Sequence, residues 1–467
     1  MIRRHLTALR LGLLAADTLS AIALFVTMSL VRFGETWPEV WRRVGVDPIV
    51  LAGIWAGVWV TSLWLMDLYR VRARWSVRSE ARAVLQASML IAVASFSALF
   101  LVKLPDVSRL FLLALFASQT LVTFALRMAI RWSLHRLRDR GFNTRFLLVI
   151  GTGTSARRFA DRVERHRELG LRVIGHLAVT TGGPATVGPR PVLGSVDDIE
   201  EILHGRVVDE IAICLPTEHV ALIEPIARLC EEEGKIVRIP GDEIGVTLSG
   251  ARLEEFDGIP VMSLVYGPDR AVALLVKRLL DVGLATTGLV LLSPVFLAVA
   301  LSILAVDGRP VVFRQVRVGL HGRPFRVVKF RTMVPDAEER LADLVELNEI
   351  KGHAFKVTDD PRLSRTGRFL RASSVDELPQ LWNVLRGEMS LVGPRPPLPS
   401  EVEGYDLWHR RRLSMKPGIT GLWQVEARRD EDFDRWVELD LAYIDRWSVW
   451  LDLKIMARTI PAMLQGR

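Results

Sequence analysis

Long apolar runs restrict the fold of this 467-residue chain more than any other feature. Four of them lie in the first third of the sequence, approximately Leu11 to Val31, Ile49 to Leu68, Ala83 to Leu104 and Leu110 to Trp132. Each has about the 20 residues that a helix needs to cross a bilayer. A mean hydropathy of +0.25 agrees with a membrane protein. The sequence therefore predicts a four-helix transmembrane bundle over residues 1–140.

Arginine residues crowd those ends of the runs that should face the same side of the membrane. They precede the first run, fill the connection between the second and third, and follow the fourth: Arg3, Arg4, Arg10, Arg70, Arg72, Arg74, Arg78, Arg82, Arg136, Arg138, Arg140 and Arg145. Because cytoplasmic loops carry an excess of basic residues, both ends of the bundle are predicted to be cytoplasmic. Asp17 lies inside the first run, and we interpret it as a helix-packing residue.

The net charge of +8 arises from arginines beside apolar segments and not from one basic tract. This distribution is typical of proteins that contact anionic lipid headgroups and phosphate substrates, and it argues against a nucleic-acid partner. The two cysteines, Cys214 and Cys230, lack the spacing of a metal site. They are predicted to be buried, inert thiols.

A βαβ pattern begins near residue 141 and predicts a Rossmann-like middle domain over residues 141–240. Strands are expected at RFLLVIG, LRVIGHLAV, DEIAICLP and KIVRIP, and Gly151, Gly153 and Ala156 form a G-x-G-x-x-A turn after the first strand. The second strand runs into Thr180 to Gly183, so the acidic residue that holds an adenosine ribose is missing. We therefore expect a regulatory or structural domain without a bound cofactor. Residues 241–270, with several Gly and Pro, are interpreted as a linker.

A fifth apolar segment, Ala271 to Val306, creates a topological conflict. Basic residues both precede and follow it, so both flanks are predicted to be cytoplasmic. Ser293 and Pro294 lie near its middle, where a proline removes a helix hydrogen bond and a serine hydroxyl can satisfy the freed carbonyl. A reentrant helix over about residues 272–306, broken at Ser293 and Pro294, resolves the conflict. A kinked spanning helix is the alternative.

The stretch SVDELPQLWNVLRGEMSLVGPRP, from Ser374 to Pro396, carries the chemistry of the chain. Asp376 and Glu377 form an adjacent acid pair at the start of a short helical pattern. Ser374 and Glu377 have the spacing of a capping box, although Pro379 moves the expected helix start toward itself. Since a helix N-terminus favours the carboxylate form, we expect these acids to be ionised and able to act as nucleophile or metal ligand.

Six cations are expected near the acid pair: Lys329, Arg331, Arg365, Arg368, Arg371 and Arg395. Lys329 and Arg331 share one face of the strand VVKFRTM, and Arg395 lies between two prolines. This is more positive charge than two carboxylates require, so it indicates a highly charged anion such as a diphosphate. Asp359 and Asp360 are interpreted as a turn before Pro361 and not as metal ligands. The tryptophans near the end of the chain suit either an interfacial helix or an ordinary core.

At these motifs the chain resembles the bacterial sugar transferase family, the polyprenyl-phosphate hexose-1-phosphate transferases that begin O-antigen, capsule and exopolysaccharide assembly. The matching pieces are KRLLD (Lys277 to Asp281), the Ser293-Pro294 break, VVKFRTM, the stretch from DDPRL to GPRP, and KPGITGLWQV. The likeness covers residues 271–467, and the bundle with the Rossmann-like region resembles the large subclass. One departure is Glu426-Ala427-Arg428, where large members often have Ser-Gly-Arg.

The resemblance implies a monotopic catalytic domain on the cytoplasmic face of the bacterial inner membrane. It implies transfer of a hexose 1-phosphate from a UDP-sugar to undecaprenyl phosphate, with UMP as the other product and Mg²⁺ as cofactor. Asp376 would attack the β-phosphorus to form a covalent phosphosugar intermediate, and Glu377 would hold Mg²⁺. Arg371 and Arg395 would bind phosphate and nucleotide, with Lys329 and Arg331 supporting the acid pair. A homodimer is expected from the large subclass.

Two hypotheses of other classes compete with this one. A membrane-bound nucleotide-sugar dehydratase or epimerase would use the Rossmann-like domain, but it needs a Tyr-x-x-x-Lys pair. None of the four tyrosines has a lysine four residues later. A scaffold for a polysaccharide export complex would need no catalytic residues. The recognisable motifs are those expected to bind phosphate, metal and nucleotide. The sequence therefore does not distinguish glucose, galactose and N-acetylated sugars as the transferred group.

Overall fold

A computed structural model provides the structure of the chain. It describes residues 2–43, 45–66, 68–69, 77–102, 108–139, 144–165, 170–180, 184–240, 252–256, 259–264, 271–340, 344, 348–353, 355, 357, 360–427 and 430–464. The chain forms two compact units. One contains Met1–Thr144 and His166–Gly170, and the other contains Arg145–Arg165 and Leu171–Arg467.

The first unit is helical. Its helices are α1 (Ile2–Phe33), α2 (Trp37–Arg43), α3 (Pro48–Leu65), α4 (Val77–Val102) and α5 (Arg109–Asp139). The four predicted runs are therefore helical as α1, α3, α4 and α5. Within the described residues, three stretches are long and apolar enough to cross a bilayer: Arg10–Arg43, Pro48–Leu65 and Arg109–Ser133. The α4 helix, which contains the third predicted run, is not among them, so that predicted span is not confirmed. The basic connection with Arg70, Arg72 and Arg74 lies outside the described residues.

A buried charge network holds the helices of this unit together. Arg127 on α5 donates to Asp17 on α1 at 2.6 Å and to Glu80 on α4 at 3.2 Å, and Arg131 bonds the other Glu80 oxygen at 2.9 Å. The Tyr69 hydroxyl also donates to Asp17, at 2.8 Å. Two acids and two arginines balance each other, which is what helix packing requires of buried charge. This agrees with the predicted packing role of Asp17.

Replacing Arg127 with methionine should destabilise the bundle strongly. The change leaves the buried Asp17 carboxylate without its cation and Glu80 with Arg131 alone, and breaking a buried pair from one side typically costs about 3–5 kcal/mol. The measurement is the midpoint of thermal unfolding in detergent. Arg136→Gln, at an exposed site near the end of the same helix, serves as control and should unfold like the wild type. Equal midpoints for both variants would contradict a stabilising role of the network.

The second unit begins with a mostly parallel sheet. Its strands are β1 (Arg145–Ile150), β2 (Leu171–Ala178), β3 (Thr186–Val187), β4 (Arg190–Ser195), β5 (Glu210–Ile213), β6 (Ile236–Pro240), β7 (Arg252–Phe256) and β8 (Ile259–Leu264), in the order β3-β4-β2-β1-β5-β6-β8-β7. Helices α6 (Thr154–Arg165), α7 (Ile199–Gly205) and α8 (Ile223–Glu232) connect them. Strands β4-β2-β1-β5-β6 are parallel, which is the Rossmann order. The four strands expected from the sequence are present.

Two features of this sheet differ from or add to the expectation. The predicted linker contains β7 and β8, which continue the sheet, because β8 pairs antiparallel with β6 and β7 pairs antiparallel with β8. Residues 241–251, 257–258 and 265–270 of that linker lie outside the described residues, as do residues 181–183. At the end of β1, Gly151 has φ +119°, and a Cβ there would lie 2.3 Å from the Cys214 carbonyl oxygen. Only glycine permits this turn.

The fifth apolar segment is a broken helix. It forms α9 (Ala271–Leu291) and α10 (Ser293–Val306), which meet at a bend of 58°. Pro294 lies in the first turn of α10, and the Ser293 hydroxyl donates to the Val290 carbonyl at 2.8 Å. The predicted break at Ser293 and Pro294 is thus confirmed, with the physical cause expected from the sequence.

Polar contacts attach the start of α9 to the rest of residues 271–464, the part of the chain that is predicted to be catalytic and is called the catalytic region below. Lys277 Nζ donates to Asp452 at 2.7 Å and to the Val392 carbonyl at 2.9 Å. Arg278 donates to two carbonyls at the end of a later helix, and Asp281 accepts from the Ser390 hydroxyl at 2.8 Å. The KRLLD motif therefore attaches the apolar helix to the catalytic region. It is also the basic flank that precedes the apolar segment.

The catalytic region surrounds this helix with short elements. They are β9 (Val312–Val318), β10 (Pro324–Phe330), α11 (Arg365–Ser373), α12 (Leu381–Arg386), β11 (Ser390–Val392), α13 (Pro399–Glu403), β12 (Gly418–Thr420), α14 (Leu422–Glu426), α15 (Phe433–Arg446) and α16 (Val449–Leu464). Strands β9 and β10 form an antiparallel hairpin. Trp436, Tyr443 and Trp447 are buried and Trp450 is exposed, so core packing explains all but the last of these aromatic residues.

The two halves of the broken helix fix two different helices of the catalytic region. Ala285 and Leu289 of α9 pack with Leu381 and Val384 of α12. Residues of α10, with Ile303 at the centre, pack against Leu370 of α11. Helices α11 and α12 are thus positioned by the break, and the chain between them contains Asp376 and Glu377.

The middle sheet also contacts the hairpin that leads to the site. Arg323, between β9 and β10, donates to the buried Asp209 carboxylate at 2.7 Å, and the same oxygen accepts the Phe146 amide at 2.8 Å. Glu233, after α8, lies 2.9 Å from Arg410 Nε. Because one end of the hairpin is held by Asp209, the middle sheet helps to orient the strands that point toward the acid pair.

Gly367→Ala should disturb the junction between α11 and the hairpin. A Cβ at this position would lie 1.9 Å from the Thr332 carbonyl oxygen, and overpacking of this kind typically costs about 1–3 kcal/mol. We expect a lower midpoint of thermal unfolding and faster amide hydrogen exchange in residues 375–386. Gly283→Ala, a helical site with nothing within 4 Å, is the matched control. A wild-type exchange pattern in Gly367→Ala would show that the junction adapts freely.

Candidate active site

The acid pair lies in the chain reversal between α11 and α12. Ser374 ends α11 in the left-handed conformation, with φ 56° and ψ 17°, which is uncommon for a residue other than glycine. Asp376 and Glu377 follow in a 3₁₀ turn, Val375–Gln380, that contains Pro379 and leads into α12. Ser374 makes no capping hydrogen bond with its side chain, so the predicted capping box is not formed. The acids do lie just ahead of the α-helix, as Pro379 indicated.

Asp376 is buried, with 7% of its surface exposed. Burial and, second to it, the charge of Glu377 raise the pKa of Asp376 to about 6 against the opposing effects of Lys329 and Arg371. The expectation that the helix start would favour ionisation is therefore wrong in its net direction, because desolvation exceeds it. At neutral pH most Asp376 side chains are still carboxylates, since the pH lies above the pKa.

Lys329 lies beside the acid pair as expected. Its Nζ donates to Glu377 Oε1 at 2.6 Å, and both side chains are about one-third exposed, at 29% and 31%. The strand β10 and the turn that contains the acids are in contact along this pair. Lys329 therefore orients Glu377 and places a positive charge next to Asp376.

Arg371 also lies close enough to Asp376 to oppose the rise of its pKa. One guanidinium nitrogen, Nη1, lies 3.8 Å from Asp360 Oδ2 and has no hydrogen-bond partner among the described residues, although it is buried. Asp360 itself is held by Arg362 through two side-chain hydrogen bonds, at 2.9 and 2.7 Å. The turn interpretation suits Asp360, and Asp359 lies outside the described residues. Arg371 thus offers a buried donor for an anion.

Arg331 does not point where the sequence pattern placed it. Its guanidinium donates to the carbonyls of Asp307, Gly308 and Arg309 at 2.5 to 2.8 Å. The expectation that it supports the acid pair together with Lys329 is therefore corrected. The reason is that β10 ends at Phe330, so the alternation of the strand does not extend to Arg331. The residue therefore holds the chain that leaves α10, which ends at Val306.

Arg395 is held by an acid that the sequence did not single out. Its guanidinium forms two hydrogen bonds with the Glu401 carboxylate, at 2.7 and 3.0 Å. Glu401 is nearly buried, and its other contact is the Leu398 amide. A substrate phosphate at Arg395 would share this guanidinium with Glu401. The pair fixes the orientation of Arg395 in advance.

Arg317 on β9 is a candidate that the sequence interpretation missed. In the sequence it is one of the basic residues that follow the apolar segment Ala271 to Val306. In the hairpin, Phe313 lies opposite Lys329 and Phe325 lies opposite Arg317, so the period of two places Arg317 and Lys329 on one face. Alternation along the run VFRQVRV was the signal that could have revealed it.

Asp376 and Glu377 also bear on a possible metal site. Among the described residues, there is no group of three or more His, Cys, Asp or Glu side chains that could hold a metal ion. Magnesium is usually held in phosphate-transfer enzymes by one or two carboxylates, with phosphate oxygens and water as the remaining ligands. The acid pair fits that pattern, with Glu377 as the more exposed donor.

Comparison with known proteins gives two matching families. The description "bacterial sugar transferase" matches residues 272–466, which contain the broken helix and the acid pair. The description "CoA-binding domain" matches residues 65–239. The first match coincides with the catalytic region, and the second covers most of the middle sheet.

Three similar proteins illustrate the relationship. A UDP-glucose:undecaprenyl-phosphate glucose-1-phosphate transferase of Escherichia coli is 33% identical over 361 residues, which is 74% of each chain. A galactosyl transferase, CpsE, of Streptococcus agalactiae is 42% identical over 263 residues, 56% of this chain and 58% of that protein. The exopolysaccharide production protein ExoY of Rhizobium meliloti is 39% identical over 205 residues, 43% of this chain but 91% of that protein. With its catalytic region and most of its length matched in this way, the chain belongs to the bacterial sugar transferase family and is an enzyme of the phosphoglycosyl transferase type.

Proposed function

We propose that this protein transfers a hexose 1-phosphate from a UDP-sugar to undecaprenyl phosphate in exopolysaccharide, capsule or O-antigen synthesis. The observation that carries the proposal is a buried carboxylate, Asp376, beside the Glu377–Lys329 pair and Arg371. The name of the E. coli relative supports the same chemistry, and the name of the S. agalactiae relative supports transfer of a hexose. Fold likeness alone would not support it, because one fold can host several reactions.

The reaction would proceed in two displacements at one phosphorus atom. In the first, an Asp376 carboxylate oxygen bonds to the β-phosphorus of the UDP-sugar while the bridging phosphorus–oxygen bond breaks, and UMP leaves with that oxygen. In the second, a phosphate oxygen of undecaprenyl phosphate bonds to the same phosphorus and the acyl-phosphate bond breaks, which restores the carboxylate. A covalent intermediate lets a water-soluble donor and a lipid acceptor use the site in turn.

Magnesium is the proposed cofactor, with Glu377 and phosphate oxygens as its ligands. When bound, the ion would neutralise charge on the diphosphate as the leaving group departs. Lys329 orients the Glu377 carboxylate at 2.6 Å, and Arg371 supplies a donor for phosphate. These residues do not move a proton in either displacement, because Asp376 reacts as the carboxylate.

We also propose that the broken helix enters and leaves the membrane on the cytoplasmic face, with the four-helix bundle crossing the inner membrane. Polar contacts at both ends of the broken helix support this topology. Lys277 and Asp281 near the start of α9 bind Asp452 and Ser390, and Arg331 binds the Asp307 carbonyl just after α10. The α9 helix is about 31 Å long at 1.5 Å per residue, so a spanning helix would carry its far end away from that region. The exposed apolar side chains would face lipid: Leu279, Val290, Leu291, Val295, Leu297 and Leu301.

The proposed reaction is tested by UMP release from purified protein. With Mg²⁺ and undecaprenyl phosphate, we expect UMP from at least one of UDP-glucose, UDP-galactose and the N-acetylated UDP-sugars. Asp376→Asn should lower turnover by at least about 10³-fold, because loss of a nucleophile removes both steps. Asp336→Asn, at a partly exposed pair with Arg340, is the control. Full turnover in Asp376→Asn would overturn the assigned nucleophile, and no UMP from any donor would overturn the function.

The pH dependence of the first displacement should report the ionisation of Asp376. Because its pKa is about 6, the rate should fall as the pH decreases through that value and should be level above it. Lys329→Met removes a positive charge that lowers this pKa. The acidic limb of the pH–rate profile, where the rate falls, should therefore move to higher pH. Arg326→Gln, on the opposite face of β10 and exposed, should leave the limb in place. An unchanged limb in Lys329→Met would contradict the electrostatic coupling.

A further inference from the structure

Arg317 is a cation of the site whose charge the surrounding residues leave incompletely balanced. Its Nη1 donates to the Pro396 carbonyl at 3.1 Å, and its Nη2 donates to the Gln315 side-chain oxygen at 2.9 Å. Both acceptors are neutral. No carboxylate among the described residues lies at ion-pair distance from it, whereas Lys329 has Glu377 and Arg395 has Glu401. Two acceptors also occupy only part of a guanidinium that has five N–H donors.

The electrostatic surroundings of Arg317 connect the two ends of the site. Burial and, second to it, the neighbouring charge of Arg395 lower the pKa of Arg317 to about 10 against the opposing effects of Glu401, Glu377 and Tyr405. The side chain therefore lies within the field of both the acid pair and Arg395. It remains protonated at neutral pH, but its burial next to another cation makes a bound anion favourable.

The strand geometry gives the position of this cation relative to Asp376. Lys329 lies opposite Phe313, and Arg317 follows Phe313 by four residues on the same face. That separation is about 13 Å along the strand at 3.3 Å per residue. Lys329 marks the end of the hairpin face beside the acid pair, and Arg317 marks the end beside Pro396 and Arg395. This separation is between backbone positions, and the charge of Glu377 beside Asp376 acts on the Arg317 guanidinium. The α-phosphate, which adjoins the β-phosphate at Asp376, would lie on the side of that phosphate toward Arg317.

We propose that Arg317 binds the phosphate of the nucleotide that leaves, next to Arg395, and so determines binding of the donor and release of UMP. This inference rests on the proposed function, because the leaving group is the nucleoside monophosphate of that reaction. It assigns Arg317 to the first displacement alone, since the lipid acceptor arrives after UMP has departed. A guanidinium with free donors can bind phosphate oxygens in bidentate fashion, which an ammonium cannot.

The test separates the two displacements in the full-length protein. Arg317→Met is mixed with UDP-sugar alone, and the UMP burst is timed. We expect a burst about 10²-fold slower than in the wild type, as for loss of one preorganised donor to a developing charge, and a Kd for UMP at least about tenfold weaker by calorimetry. Enzyme already loaded with the phosphosugar, chased with undecaprenyl phosphate, should react at the wild-type rate. Arg317→Lys should recover part of the burst, because the charge is kept without the fork.

Arg326→Met is the matched control, because it removes an exposed arginine from the opposite face of the same hairpin. It should leave both displacements and UMP binding unchanged. A purely structural role of Arg317, through the Pro396 carbonyl, would slow both displacements alike and lower the unfolding midpoint, and that result overturns the assignment. A wild-type burst and UMP affinity in Arg317→Met overturn it as well. If the wild type gives no burst yet binds UMP through Arg317, the proposed reaction fails while the binding site stands, and absence of both overturns both.

Discussion

The attachment of the broken apolar helix at both of its ends is the constraint on which the rest of the catalytic region depends. Lys277 and Asp281 bind the region near the start of α9, and Arg331 closes the carbonyl end of α10. Between these anchors, α9 packs against α12 and α10 packs against α11. The acid pair occupies the short chain reversal between α11 and α12. Its position therefore depends on the polar contacts that hold the two ends of the broken helix.

The cations of the site divide into two classes according to their partners. Arg331 is engaged with the carbonyls of the three residues that follow α10, and Arg395 is engaged with Glu401. Lys329 and Arg371 act directly on the charge of Asp376, and Arg317 lacks a carboxylate among the described residues. The two classes arise because removing a cation from water costs free energy, so a buried cation needs a hydrogen-bonded or charged partner. Where the protein supplies no complete partner, a substrate phosphate is the group that fits.

Sequence patterns predicted the elements of this protein better than the directions of its side chains. The four strands of the middle sheet, the helix break at Pro294 and the placement of Asp376 and Glu377 ahead of a helix all follow from local periodicity and proline geometry. The hairpin β7–β8 was missed because its Gly and Pro content resembles that of a linker. Arg331 was assigned to the acid pair because strand alternation was extended one residue past the end of β10.

The sequence by itself determined that long apolar segments alternate with basic ends, that a βαβ region follows, and that an acid pair lies among many arginines. These conclusions depend on composition and short-range spacing, which are local properties. Only the tertiary structure decided which cations face Asp376, that Glu401 holds Arg395, and that burial raises the pKa of Asp376 to about 6. Those outcomes depend on desolvation and on contacts between residues tens of positions apart, such as Lys329 and Glu377, and spacing along the chain does not encode them.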